Sequence, residues 1–564
     1  MIKLKRWKLK PQHSETSKSL SSSLEISPIM AQLLLNRNIQ TVEQAKDYLS
    51  KESNKSQFDS EHLQGILNVI LNTIEAKKPI LIYGDYDVDG MCSTAMMVKL
   101  ITSLGGIVRY KIPHRFNDGY GLSDNIIELI HQDHIDLLIT LDCGITNFKE
   151  INLVKEQSQA KVLIFDHHTI PSQVPPADAI LNPKDLQPNH ALYDLCTAGI
   201  VYQFVLFVSG IYEQVNAEDY IDLAALATVA DVVNLQGENR RIVKEGLEKF
   251  SELKHPGFRA LLEVSRAKKD VINEQDFGFL IAPRLNASGR LSTAHHGVEL
   301  LLSNSYDEAK TRALRLEKLN QNRKQLDQDI LQEAIHEIES NPHYSKQSIL
   351  VLGSKNWHAG VIGITASKLV DRFSKPVVIV AFDEQGLGRG SSRSLGDINI
   401  YNLLFECKEH FLKFGGHKQA AGFSIEEKSF NSFRKALEQV SKERINEDSL
   451  FDCLDIDIKL NAQAITLDFV DDLTTLSPFG QGNKEPLFYT DQLQIIDSKV
   501  VGNGKHLKLS VQDSSSKKIF DAIGFNLAEK LSLVYKKENH LVFHLNKNHW
   551  NGKTNVQLVL KDIK

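Results

Sequence analysis

Acids and imidazoles stand at four separated points of this chain, each where an apolar run stops. YGDYDVDG (83–90) carries Asp85, Asp87 and Asp89 at alternate positions directly after PILIYG (79–84). Asp142 ends DLLITLD (136–142), Asp166-His167-His168 follow VLIF, and Asp231 follows the apolar run of ATVADVV (227–233). Crowded carboxylates repel each other and lose hydration, a cost that a bound cation removes. Carboxylate oxygens with one imidazole suit Mn2+ or Mg2+, whereas zinc sites favour sulfur or several His. Two divalent cations sharing a carboxylate, ~3.5–4 Å apart, acidify a water and neutralise the charge that develops at phosphorus. The expected chemistry is phosphoester hydrolysis, with no covalent intermediate and no organic cofactor.

The elements needed to gather these residues are also readable. Residues 79–84, 107–113, 136–142 and 161–166 read as buried strands, with helices at 61–77, 91–105, 123–132 and 147–157. Strands alternating with helices predict an α/β fold, a mostly parallel sheet covered on both faces. In such a sheet ligands bind at the carboxyl ends of the strands, where the acids stand. Further helices are expected at about 190–210, 217–229 and through 240–305. Leu314, Leu319, Leu326, Ile330, Leu331, Ala334 and Ile338 give helical spacing, so 305–340 reads as one long connecting helix. A second, smaller α/β unit begins at SILVLGSKNWHAGVIGITASKLV (348–370) and ends near 445. Five short strands follow, in LQIIDSKVVGN, HLKLSVQD, KIFDAIGF, HLVFHLN and NVQLVLKD, which predicts a small OB-like β-barrel. The expected division is an N-terminal extension (1–60, with one short helix near 28–49), a catalytic domain (61–304), the connecting helix (305–345), a substrate-binding α/β domain (346–447) and the barrel (448–564).

Composition narrows the function classes. A chain of 564 residues is too long for one core. Its five cysteines are scattered with no CxxC pair, which argues against a disulfide scaffold or structural zinc and fits a reducing cytoplasm. The basic start MIKLKRWKLK lacks the apolar segment of a secretory signal. The apolar stretch 220–233 carries acids and is too short to span a bilayer, so no membrane association is expected. A net charge of −5 excludes a globally basic nucleic-acid binder. Residues 499–564 nevertheless hold 12 Lys, no Arg and 5 acids, a local balance of +7. The aromatics Phe520, Phe525, Phe543 and Trp550 are also available there to stack on bases, although a core role suits most of them.

Nine motifs in order carry a resemblance: YGDYDVDG (83–90), PHRFNDGYGL (113–122), LDCG (141–144), DHH (166–168), ATVADVV (227–233), APRLNASGR (282–290), WHAGVIGI (357–364), GRGSSRS (388–394) and FGGHKQAAG (414–422). With them the chain resembles the DHH phosphoesterase superfamily, closely its RecJ-type single-strand-specific exonucleases, over about 60–560. The resemblance implies Asp87, Asp89, Asp142, His167 and Asp231 as metal ligands, Asp142 bridging, with Asp85 and Asp166 orienting. It implies that His168 faces the scissile phosphate. Which His of the pair ligates a metal stays open at the level of sequence. It further implies that the second α/β unit closes over the metals. Arg389, Ser391, Ser392 and Arg393 would form an anion-binding segment there, in which Ser391 and Arg393 hold a terminal 5′ phosphate. His417 and Lys418 would stand at a glycine turn opening a helix, and His358, Arg115, Arg284 and Arg290 would be further contacts. Implied partners are single-stranded DNA, a single-strand-binding protein and a helicase, and a monomer is expected. Two other readings remain: a phosphodiesterase of short oligonucleotides or cyclic dinucleotides, and a non-catalytic scaffold.

Overall fold

A computed structural model describes residues 5–50, 56–266 apart from 117, 120 and 124, 272–446, 453–535, and 539–564 apart from 551. The chain forms two compact bodies. One comprises Lys51–Arg323 with Pro478–Lys484, the other Met1–Ser50, Lys324–Ser477 and Glu485–Lys564.

The first body is built on five parallel strands. In spatial order they are Ile107–Lys111, Pro79–Gly84, Leu137–Leu141, Lys161–Phe165 and Ala179–Leu181. The second strand in the chain lies on one side of the first and the rest on the other, so the order reverses beside Gly84 and Leu141. A crevice opens at such a reversal because the two following loops diverge. Both sheet faces are buried. Ile80, Ile82, Ile139, Leu163 and Phe165 enter one core with Leu100, Phe204 and Leu226. Leu81, Tyr83, Leu138, Val162 and Ile164 enter another with Ile130, Ile151 and Val154. The helices Ser60–Glu75, Val88–Ser103, Ile126–Gln132 and Phe148–Gln157 cover the sheet as the spacing requires. Ala179–Leu181 is absent from the sequence reading because three residues give no periodicity.

In the second body, Leu350–Ser354 and Val377–Phe382 pair in parallel. Leu387–Arg393, Ala420–Glu426 and Phe411–His417 then extend the sheet antiparallel. The long helix is continuous over Tyr306–Ser340. All five barrel strands are present, at Leu493–Val501, His506–Asp513, Ile519–Gly524, Leu541–Trp550 and Lys553–Ile563. Two short strands, Ile458–Lys459 and Phe488–Thr490, complete a seven-stranded sheet.

The first 50 residues depart from the expectation of one short helix in a peripheral extension. Three helices occupy Ser14–Leu24, Pro28–Leu35 and Val42–Leu49. Arg6–Leu9 pairs in parallel with Cys453–Ile456, the Trp7 indole donates to Asp562 (2.8 Å), and Lys10 pairs with Asp457 (2.8 Å). The segment reads as solvated because its strand is polar and four residues long, and its partner lies some 450 residues away. Among the described residues no helix is long and apolar enough to cross a membrane.

Candidate metal centre and phosphate-binding face

Asp87 caps the helix Val88–Ser103, one carboxylate oxygen accepting from the N–H groups of Asp89 (2.9 Å) and Gly90 (3.1 Å). The loop is tight: a Cβ on Gly90 would come 2.4 Å from the Asp85 carbonyl oxygen, so only glycine lets the helix start there. Asp142 ends its strand at φ 63°, a left-handed turn that Asp tolerates. Asp231 ends the buried helix Ile221–Ala230.

These ends converge. His167 Nε2 lies 3.3 Å from Asp142 Oδ1, 3.6 Å from Asp231 Oδ2 and 4.0 Å from Asp89 Oδ2. Ligand atoms of Asp89, His167 and Asp231 fall within 4.8 Å of one another, as do those of Asp85, Asp87 and Asp142. Asp142, His167 and His168 form a third such group, so Asp142 and His167 join the other two clusters. Asp85, read from sequence as an orienting group, stands among the carboxylates of the second cluster itself.

The electrostatics fit a cation site. Burial, then the charge of Asp87, raises Asp89 to about 6. Burial, then Asp89 and Asp87, raises Asp231 to about 9. Asp85 and Asp142 are pushed up for the same two reasons, and Asp85 Oδ1 is buried with no hydrogen-bond partner. Such a nest holds protons until positive charge replaces them. His167 is pushed down to about 3 by burial and by His168, so its ring is a neutral donor.

His168 has a different carboxylate partner. Its Nδ1 lies 2.7 Å from Asp166 Oδ1, and its own N–H also donates to that carboxylate. Burial opposes charge on both partners, but the hydrogen bond and mutual attraction outweigh it. Asp166 is lowered and His168 raised. Ile145 N–H holds the other Asp166 oxygen, and the Asn182 amide holds the His168 carbonyl.

Thr197 escaped the sequence reading. It opens the helix Thr197–Ser209, whose first N–H groups, Thr197 and Ala198, each donate to Asp89 at 2.7 Å. Its hydroxyl donates to Asp142 Oδ1 (3.1 Å). Helix amino ends attract carboxylates through free N–H groups. The only trace in sequence is a threonine opening an apolar helix.

The arginines divide. Arg115 lies over the Tyr86 ring (5.0 Å) and its charge reaches Asp85. Arg290 acts on Tyr86 as well. Arg284 is only 4% exposed, paired with Glu317 (2.6 Å) and donating to the Leu280 carbonyl, so it is an internal tie rather than the expected phosphate contact. Asn117 and Tyr120 of the PHRFNDGYGL motif lie outside the described residues.

In the other body GRGSSRS is no linker but a strand paired on both sides. Alternation puts Arg389, Ser391 and Arg393 on one face. Gly363, in the first turn of the helix Ile362–Phe373, packs there: a Cβ on it would lie 3.0 Å from both Ser391 Oγ and Arg393 Nη2. His358 precedes this helix, its Nδ1 accepting from Gly360 N–H. Beside Arg389, Ser391 and Arg393 the register sets Ser424, Gly422 and Ala420, then Lys413, Gly415 and His417. The face is almost bare of side chains and rimmed by cations. Ser392 points to the opposite face, fully buried, its hydroxyl bonded to Ala421 N–H and C=O, which removes it from the expected phosphate set. His417 and Lys418 sit at the tip of a β-hairpin, not at a helix start. The glycines there serve strand pairing, so the helix-end argument for anion binding fails.

Residues 79–228 match the DHH family, N-terminal domain, residues 346–443 the DHHA1 domain, and residues 456–562 the RecJ OB domain. The single-stranded-DNA-specific exonuclease RecJ of Haemophilus influenzae is 33% identical over 567 residues, covering 96% of this chain and 97% of that protein. The RecJ exonuclease of Bacillus subtilis is 32% identical, covering 99% of this chain and 70% of that protein. The crystal structure of RecJ with Mn2+ from Thermus thermophilus superposes with a TM-score of 0.85 at 26% identity, over 99% of this chain and 79% of that one.

Proposed function

The chain belongs to the RecJ family of DHH phosphoesterases, and from that membership we propose that it is a single-stranded-DNA-specific exonuclease. It releases 5′-mononucleotides in the 5′→3′ direction, in repair and recombination. The observation that carries the reading is the meeting of Asp87, Asp89, Asp142, His167 and Asp231, from separate strand and helix ends, in one buried nest. Its unpaired Asp85 oxygen and raised carboxyl pKa values fit two divalent cations, Mn2+ or Mg2+. Bound there, the cations supply Lewis-acid neutralisation of phosphate charge.

The chain's own residues do the rest. Asp142 joins the two clusters, Asp87 and Asp85 face one side, and Asp89, Asp231 and the neutral His167 face the other. Thr197 and Ala198 hold Asp89 and Asp142 against their mutual repulsion. His168, drawn toward its charged form by the Asp166 carboxylate, offers a hydrogen bond or a proton to a phosphoryl oxygen or leaving group. Arg115 and Arg290 contribute charge at the Tyr86 corner. Ser391 and Arg393, with the amino end of Ile362–Phe373, bind a terminal phosphate, and the bare face beside them admits the strand.

In this reading residues 61–304 are the catalytic domain, 346–447 the substrate-binding domain and 448–564 the strand-binding barrel. The enzyme works as a cytoplasmic monomer beside a single-strand-binding protein and a helicase. Digestion of end-labelled single-stranded and blunt duplex DNA, with Mn2+, Mg2+ or chelator, tests it. Early loss of 5′ label as mononucleotide, on single strands and only with cation, is expected. Equal activity on blunt duplex, or a retained 5′ label on a shortened strand, rejects it.

A further inference from the structure

Phe279 is 85% exposed, although the residues two positions away on each side, Phe277 and Ile281, are fully buried. It sits on a π-helical turn, Phe277–Ile281, closed by the Ala282 N–H donating to the Phe277 carbonyl. Phe277 and Ile281 anchor that turn in the core, the Phe277 ring packing edge-on at 4.8 Å to Phe250. Phe279, two residues from each anchor, is turned out to solvent. Such turns are frequent at functional sites.

Its position ties it to the acid cluster. A Cβ on the adjacent Gly278 would lie 3.7 Å from Val229 Cγ1, and Val229 stands two residues before Asp231. Val232, directly after Asp231, is 65% exposed at φ 59°, a conformation that β-branched residues rarely adopt. The turn runs on into the helix Ala282–Leu291, which carries Arg290. The turn that exposes Phe279 therefore packs against the helix end that carries a metal-ligand candidate, within one body.

We propose that Phe279 is a stacking subsite for a nucleobase of the single strand held at this cluster. The inference rests on the exonuclease reading and adds to it where one base lies. One ring in water is too little surface for a protein interface. It is enough for a base, and it suits sequence-independent binding because every base presents a π face. The acid cluster draws cations rather than phosphate, and with them bound it would take the phosphate end of the same ligand.

The test uses the full chain as wild type, Phe279→Ala and Phe279→Trp, on oligonucleotides carrying one abasic residue at successive positions from the 5′ end. Phe279→Ala is expected to raise KM on the order of tenfold with kcat little changed, and Phe279→Trp to keep wild-type KM. At one abasic position the wild type should lose the same factor, and the Ala variant should lose nothing further. A KM for Phe279→Ala within twofold of wild type overturns the subsite. So does an equal penalty at every abasic position, or a change in sedimentation without a change in KM. Failure of the wild type on intact single strands would instead overturn the exonuclease reading.

Discussion

The acid nest of one body and the bare sheet face of the other handle phosphate chemistry by opposite means. The nest forces Asp85, Asp89, Asp142 and Asp231 together at a cost visible in their raised pKa values. The sheet face carries Gly415, Gly422 and Ala420 where side chains would otherwise stand, and cations only at its rim. One site is defined by crowded negative charge, the other by a surface with few side chains. Changes in charge should therefore cripple the first, and changes in bulk the second.

The sharpest separation is Asp142→Ala, which removes the carboxylate common to both clusters. It should lower the hydrolysis rate by several powers of ten while single-strand binding stays within a few-fold. Single-turnover digestion paired with anisotropy reads both quantities. Activity within about tenfold of wild type would end the ligand assignment.

Next in size is the response of stability to cation and pH. The ordinary carboxyl value is 3.8, and the fold raises Asp89 to about 6 and Asp231 to about 9. A folded state that holds protons the unfolded chain has released loses stability as pH rises. Metal-free protein should therefore weaken from about pH 4 upward, through about 6 and on to about 9. Cations require those protons to leave, so their stabilisation should grow across the same window. At a hundredfold excess over Kd it reaches ~2.7 kcal/mol. Thermal melts with MnCl2 or chelator at about pH 5.5, 7 and 8.5 check the sign. A cation shift that is largest in acid would mean the nest is not the binding site.

Bulk is tested at two neighbouring glycines. A Cβ on Gly422 meets only the Gly390 carbonyl, at 3.6 Å, whereas one on Gly390 would come within 2.2 Å of the Phe423 ring. Gly422→Val should therefore fold and raise KM for single strands about tenfold, and Gly390→Val should lose stability by overpacking. Normal KM in a folded Gly422→Val would remove the bare face from the strand's path.

The same contrast explains what the sequence disclosed. The nest was legible because each acid ends an apolar run, and parallel sheets align such ends. The hairpin was not, because paired glycines before HKQAAG read equally as a helix start, and only pairing with Leu387–Arg393 decides. Once that strand is known, alternation separates Ser391 from Ser392. Thr197 stayed hidden because two of the three contacts at that helix end come from backbone N–H groups, which every residue type offers. His167 and His168 could not be told apart in sequence, since neighbours of one type differ only in what surrounds them: His168 meets Asp166, and His167 meets Asp142 and Asp231.

The smallest effect concerns the lysines of the barrel, which are not equivalent. Lys530 is buried against Asp562, and Lys547 pairs with Asp471, so neither is spare charge. Lys499 and Lys508 stand directly opposite each other on adjacent strands, both exposed, with Lys505 in the turn beyond. Like charges placed opposite cost stability, and a bound polyanion offsets that cost. Changing these three to Gln should weaken single-strand binding by less than about tenfold at moderate salt, and should flatten the salt slope by about 2, near 0.7 per phosphate contact. Lys530→Gln should leave the slope alone and destabilise the barrel instead, by ~3–5 kcal/mol, because it strands the buried Asp562. Salt titrations of binding with thermal melts separate the two classes. A triple variant with an unchanged slope would move the strand's path off this hairpin and leave the bare sheet face as the principal phosphate contact of its body.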